Sequence, residues 1–175
     1  MDKQKLNAVL FAMEEKGIPQ MIISDPAVIF YLTGAWIRPG ERLLVLYLNK
    51  NGSHRLLVND LFRQTKDLGV EIQYYNDTQD GVEILSRFMD HAAPVAVDKN
   101  WPARFLLRLQ ELNAAGCYVN SSAIVDGVRQ IKTPDEQERM RVASKLNDEV
   151  MKKLVGALSE DHTELELKDL LLKFY

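Results

Sequence analysis

Cysteine and histidine are scarce: one Cys and three His stand among 175 residues. The single Cys117 excludes an internal disulfide, and its place between Gly116 and the apolar pair Tyr118-Val119 predicts a buried core thiol. His54, His91 and His162 lie far apart, and none belongs to a His-Glu-x-x-His arrangement. Each reads as a solvated or capping side chain, so a metal site within the chain is not expected. Long apolar runs are absent as well; none approaches the ~20 residues that a membrane helix requires. Met1-Asp2-Lys3-Gln4-Lys5 is polar and leads into an amphipathic pattern, unlike a secretory leader. A cytoplasmic protein without membrane partners is therefore expected. Lys and Arg number 22 against 25 Asp and Glu, a formal net charge of −3, which gives no electrostatic footprint for nucleic acid. Neither Gly-x-Gly-x-x-Gly, nor a Gly-Lys-Ser/Thr phosphate loop, nor a Gly-x-Ser-x-Gly elbow occurs, which removes the glycine geometry of nucleotide binding and the serine-hydrolase turn.

Apolar residues are plentiful at 46 %, enough for a sizeable core, and the length suits one full domain with part of another. Residues 2–16 place Leu6, Val9, Leu10 and Met13 on one helical stripe, which Gly17 ends and Pro19 keeps from resuming. Met21-Ile22-Ile23 reads as a short buried strand. Arg55 to Val58 reads as the second arm of a hairpin, followed by a short helical piece from Asn59 through Lys66. Val70 to Tyr75 alternates as a half-covered strand does. Thr78 to His91 reads as a helix with Val82, Leu85, Phe88 and Met89 inward, Pro94 to Asp98 as a strand, Asn100 onward as a helix carrying Phe105, Leu106, Leu109 and Leu112, and Gly116 to Val119 as a last strand. This alternation predicts an α/β fold: a mixed sheet flanked by helices on both faces.

The stretch from Ser24 to Leu48 organises the rest. Asp25 caps a short helix and Pro26 fits its first position, having no amide to leave unpaired. The helix stops at Gly34. From Ala35 to Arg42 no apolar period is seen, and Pro39-Gly40 is a turn pair. A surface loop carrying Trp36, Arg38 and Glu41 is expected there. Leu43 to Leu48 is a continuous apolar run, a strand with both faces covered that ends in the turn Asn49-Lys50-Asn51-Gly52.

Past Val119 the pattern changes. Ser121 to Gln130 has few apolar residues and reads as a linking helix or loop. Thr133-Pro134-Asp135-Glu136 is a capping-box start, and Met140, Ala143, Leu146, Val150, Leu154 and Leu158 form one stripe of a long helix. Thr163 and Glu166 repeat the box ahead of Leu167, Leu170, Leu171 and Phe174. The expected divisions are residues 1–120 as an α/β domain, 121–133 as a linker, and 134–175 as the opening helices of a truncated second domain.

Asp25-Pro26, Tyr31-Leu32-Thr33-Gly34 and Pro39-Gly40-Glu41-Arg42, followed by Val128-Arg129-Gln130-Ile131-Lys132-Thr133-Pro134-Asp135-Glu136, resemble the N-terminal domain of the prolidase, aminopeptidase P and creatinase family and its passage into the catalytic domain. The resemblance implies a ribonuclease-H-like N-terminal topology and a missing pita-bread catalytic domain. It implies a parent enzyme, a metallopeptidase that cleaves before proline in a peptide substrate, with two divalent metal ions (manganese, cobalt or zinc) activating the attacking water. It also implies a homodimer in which this non-catalytic half shapes the substrate entrance. The loop residues then take roles: Trp36 packs a proline ring or gates the mouth, Arg38 pairs with a substrate carboxylate, and Glu41 orients Arg38 or meets a free amine. The blander expectation is that Trp36 covers a sheet edge while Arg38 and Glu41 are solvated. A stand-alone small-molecule or protein binding module without catalysis is the alternative, and an amidinohydrolase chemistry is a third. Clustered nuclease carboxylates are not evident: Asp60, Asp98 and Asp126 read as surface or capping groups.

Overall fold

The computed structural model describes residues 1–158 and 161–175. They form two compact units, Met1–Gln130 and Ile131–Tyr175.

The first unit is an α/β sandwich. Helix α1 (Lys3–Glu15) starts at Asp2, whose carboxylate accepts from the amides of Gln4 and Lys5. It ends in Gly17, held at φ 65°, where a side chain would be strained. Strand β1 (Gln20–Ile23) follows, then α2 (Pro26–Thr33), β2 (Val45–Asn49) and β3 (Arg55–Asn59). A single 3-10 turn, Asp60–Phe62, leads to β4 (Glu71–Tyr75), α3 (Gly81–Ser86), β5 (Pro94–Val97), α4 (Ala103–Glu111), β6 (Cys117–Asn120) and α5 (Ser122–Gln130). The six strands run in the order β4-β3-β2-β1-β5-β6. β1 and β2 pair antiparallel, as do β2 and β3, whereas β1–β5, β5–β6 and β3–β4 are parallel. The sheet is therefore mixed, as the alternation of elements predicts.

Each face of the sheet carries its own core. On one, Val9 and Met13 of α1, Val28, Ile29 and Leu32 of α2, and Ile124 and Val125 of α5 cover Met21, Ile23, Leu46 and Leu48. On the other, Val82, Leu85 and Met89 from α3 and its following turn, with Leu109 of α4, cover Ile22, Val45, Tyr47 and Val95. β1 and β2 are buried on both faces, which is why their sequences read as unbroken apolar runs.

Several expectations change. Cys117 is exposed rather than buried, because β6 is an edge strand, paired on one side only and largely exposed. The segment 78–91 is helical only over Gly81–Ser86; Asp80 caps it by accepting from Val82 and Glu83, so residues 78–79 stay in the preceding turn. The piece expected from Asn59 through Lys66 is only the 3-10 turn. Residues 122–130 form α5, whose Ile124 and Val125 are buried in the first core, so the compact unit runs to Gln130 and not to 120.

The second unit consists of α6 (Pro134–Ala157) and α7 (Glu164–Phe174). Both begin in complete capping boxes, Thr133 with Glu136 and Thr163 with Glu166. Val150 is buried and the Tyr175 hydroxyl donates to Asn147 Oδ1 at 2.6 Å, while Met140, Leu146 and Leu158 of the same stripe stay exposed.

Candidate functional site

The site is built at the carboxyl end of β1. Asp98, just past β5, turns its carboxylate toward the segment leaving β1. Its Oδ2 accepts from the Ser24 amide, from the Asp25 amide at 2.9 Å and from Ser24 Oγ at 3.1 Å, and Ser121 Oγ reaches Oδ1 at 3.4 Å. One carboxylate thus ties β1, β5 and the entry to α5 together. Asp25 Oδ1 accepts from the Ala27 amide at 2.7 Å, and Pro26 occupies the first helical position. At the other end of α2, Thr33 Oγ1 donates to the Ile29 carbonyl at 2.6 Å, and Gly34 turns the chain at φ 75°.

The loop that follows is less loose than its sequence suggests. Ala35 and Ile37 are buried and Trp36 and Arg38 exposed, an alternation hidden among polar and turn residues. Trp36 is 53 % exposed and meets Phe30 of α2 edge to face, with ring centroids 5.7 Å apart. It rests on a helix; the sheet edges, β4 and β6, lie elsewhere. Arg38 is exposed. The far end of the loop is fastened on three sides. Arg42 donates from Nε and Nη2 to Asp77 at 2.8 and 2.7 Å, and Asn59 Nδ2 donates to the same carboxylate at 2.8 Å. The Tyr75 hydroxyl donates to the Leu43 carbonyl at 2.8 Å, and Arg104 donates to the Glu41 carbonyl. The hydrogen bond from Arg42 holds Asp77 below the ordinary carboxylate value, and Asp77 in turn raises Arg42. Burial opposes ionisation of Asp80, yet the bonds from Arg108 and from the Glu83 and Val82 amides hold it below its ordinary value.

A cavity of about 310 Å3 opens between the segment leaving β1, the end of this loop and the segment leaving β5. Glu41 lines it, with Asp25 and Trp101, but Trp36 and Arg38 do not. The structure therefore divides the three loop candidates: Glu41 is among the lining residues, while Trp36, set against Phe30 of α2, and the exposed Arg38 are not. Asp98, expected as a surface or capping group, instead holds Ser24, Asp25 and Ser121, while Trp101 and the Arg42–Asp77–Asn59 cluster carry no functional reading in the sequence; each gains meaning only from a neighbour distant along the chain.

The other candidate groups have structural partners. His54 Nδ1 accepts from the Asn49 amide at 3.3 Å inside the hairpin, and burial lowers its pKa. His91 Nε2 lies 2.8 Å from the Ser86 carbonyl. Asp60 pairs with Arg63, and Asp126 with Lys99. Among the described residues no three His, Cys, Asp or Glu side chains are grouped to hold a metal ion. No helix among them is long and apolar enough to cross a membrane.

A mixed six-stranded sheet with helices on both faces, followed by a separate helical unit, defines the class to which the chain is similar. Residues 5–131 match the Creatinase/Prolidase N-terminal domain family, and the chain belongs to that family. Its fold is that of a prolidase from Thermococcus sibiricus, with a TM-score of 0.87 at 19 % identity, covering 99 % of this chain and 49 % of that one. It is similar as well to the isolated creatinase/prolidase N-terminal domain of an X-Pro dipeptidase from Streptococcus pyogenes, with a TM-score of 0.63 at 22 % identity over 72 % of this chain and 99 % of that domain. An uncharacterized peptidase of Staphylococcus aureus is 25 % identical over 93 % of this chain. The chain spans 47 % of that relative's length, about half of the curated relatives it matches.

Proposed function

We propose that this chain is the N-terminal, non-catalytic half of a metal-dependent Xaa-Pro dipeptidase or aminopeptidase, and that it supports a homodimer and shapes the substrate entrance. The observation that carries this reading is the family match over residues 5–131, joined to a fold that covers nearly all of this chain but only half of a prolidase. The exposed apolar residues Met140 and Leu146 of α6, with Leu158 at its C-cap, support it, since a helix leaves such a stripe bare when its partners lie outside the unit. In this reading hydrolysis before proline, and the two divalent ions that activate water for it, belong to the rest of the parent. Trp36 and Arg38 present an aromatic face and a guanidinium on the outer side of the loop, suited to a proline ring and a carboxylate.

The parent protein assayed on Xaa-Pro dipeptides with manganese or cobalt should release proline and lose that activity to a chelator. Inactivity with manganese, cobalt and zinc alike would overturn the assignment.

A further inference from the structure

We propose that Asn51 is a modification site, at which the Gly52 amide nitrogen closes on the side-chain carboxamide and converts the asparagine to aspartate and isoaspartate. The inference does not rest on the peptidase reading, because the turn that carries it joins β2 to β3 inside the Met1–Gln130 unit. Sequence selects the position. The chain has nine asparagines, and Asn51 alone precedes a glycine. A side chain on the following residue crowds the attacking nitrogen; Gly52 has none, and the space where a Cβ would stand is empty. Asn120 shows the contrast: it precedes Ser121, which is buried and whose amide is fixed to the Val97 carbonyl at 2.9 Å.

The turn also supplies geometry. Asn51, Gly52 and Ser53 are exposed, so water and hydroxide reach them. Asn51 Oδ1 accepts from the Ser53 amide at 3.0 Å, which curls the carboxamide back along the chain over the Gly52 peptide. When the nitrogen attacks Cγ, negative charge gathers on this same oxygen. The Ser53 N–H already points at it, as an oxyanion donor must. Asn51 Nδ2 donates to nothing among the described residues, so the leaving nitrogen is free. One bond opposes the reaction: the Gly52 amide, which must lose its proton, donates to the Asn49 carbonyl at 3.0 Å. The turn has to open first. It lies beyond the last β2–β3 pair, Tyr47 with Arg55, and an exposed turn opens far more cheaply than the sheet behind it.

The step balances with water alone. Hydroxide removes the Gly52 amide proton, the bond from that nitrogen to Asn51 Cγ forms, and the bond from Cγ to Nδ2 breaks, Nδ2 taking a proton from water to leave as ammonia. Water then opens the cyclic imide at either carbonyl, giving aspartate or isoaspartate. Both products add a negative charge next to Lys50, and isoaspartate lengthens the backbone of the turn by one carbon. The paired residues of β2 and β3 stand outside the altered stretch, so the sheet survives the change.

The whole 175-residue chain, incubated folded at mildly alkaline pH, should release ammonia and gain isoaspartate, read by methyl transfer from S-adenosylmethionine with an isoaspartyl methyltransferase. The label should map to the tryptic peptide of residues 51–55, and its rate should rise in proportion to hydroxide. A synthetic peptide of residues 48–56, in which no turn bond holds the Gly52 amide, should react faster than the folded chain. Asn51→Gln, whose longer side chain would have to close a larger ring, should lose the product, with circular dichroism checking that the fold persists. No isoaspartate at Asn51 after the peptide has converted completely would overturn the proposal. So would an unchanged yield in folded Asn51→Gln, or a larger yield at another asparagine.

Discussion

At the scale of single residues, much of what shapes the site is electrostatic and comes from afar. Asp77 illustrates it. Its carboxylate takes a bidentate pair from Arg42 and a third bond from Asn59, so its folded pKa lies below the ordinary 3.8. The folded state then holds the proton less tightly than the unfolded chain. The stabilisation is fully present above the unfolded value and is lost as pH falls from about 4 through the lower folded pKa. Asp77→Asn should flatten the acid limb of a stability-versus-pH curve without altering its neutral plateau's slope; an unchanged acid limb would show that the pair contributes nothing. Arg38 gives a functional counterpart in the parent enzyme. If its guanidinium meets the substrate carboxylate, Arg38→Ala should raise KM about tenfold or more, the worth of a charge-assisted bond, with kcat little changed. A purely structural role would move thermal stability and leave KM alone. None of these partnerships was legible in the sequence. Asp98 sits 74 positions from Ser24, and only the parallel pairing of β1 with β5 brings the two together. Cys117 misleads for the same reason: a Gly-Cys-Tyr-Val stretch looks like core until strand order shows that it lies at an edge.

At the scale of elements, local chemistry was readable wherever it terminates a helix. Asp25, Pro26 and Gly34 bound α2 as their residue types require, and Gly34 is the position where that matters most for the loop that follows. It sits at φ 75°, and a Cβ added there would meet nothing. The cost of Gly34→Ala is therefore conformational rather than steric, about 1 kcal/mol. Chemical denaturation should show that loss with an unchanged m-value, whereas a loss several times larger would mean that the loop itself repacks. Elements set by tertiary contact were harder to read. Residues 78–91 have a helical apolar period, but the Asp80 cap starts the helix only at Gly81 and the helix ends at Ser86, while Arg108 of α4 pairs with the same Asp80 carboxylate. The buried alternation of Ala35 and Ile37 was masked by Gly34 and Pro39-Gly40, whose turn chemistry dominates so brief a stretch.

The whole molecule raises the question of where the first unit ends. The mixed sheet and its two flanking layers follow from the order of helical and alternating segments, because parallel strands need crossovers that place helices on the faces. The boundary does not follow, since α5 mixes Ile124 and Val125 with Asp126, Gly127 and Arg129 and so resembles a connector until its packing is seen. Its contribution is nonetheless part of the core. Ile124 and Val125 are 3 % and 2 % exposed, in the same apolar cluster as α1 and α2. Burying two such side chains is worth about 1.5–3 kcal/mol each, a large share of the 5–15 kcal/mol by which a domain is stable. A chain ending at Gln130 should accordingly unfold cooperatively, with a sharp thermal transition. One ending at Asn120 removes α5 together with Ser121, whose hydroxyl reaches Asp98, and should lose most of that stability or bind hydrophobic dye at ambient temperature. Equal stability of the two fragments would place α5 outside the folding unit and return the boundary to 120.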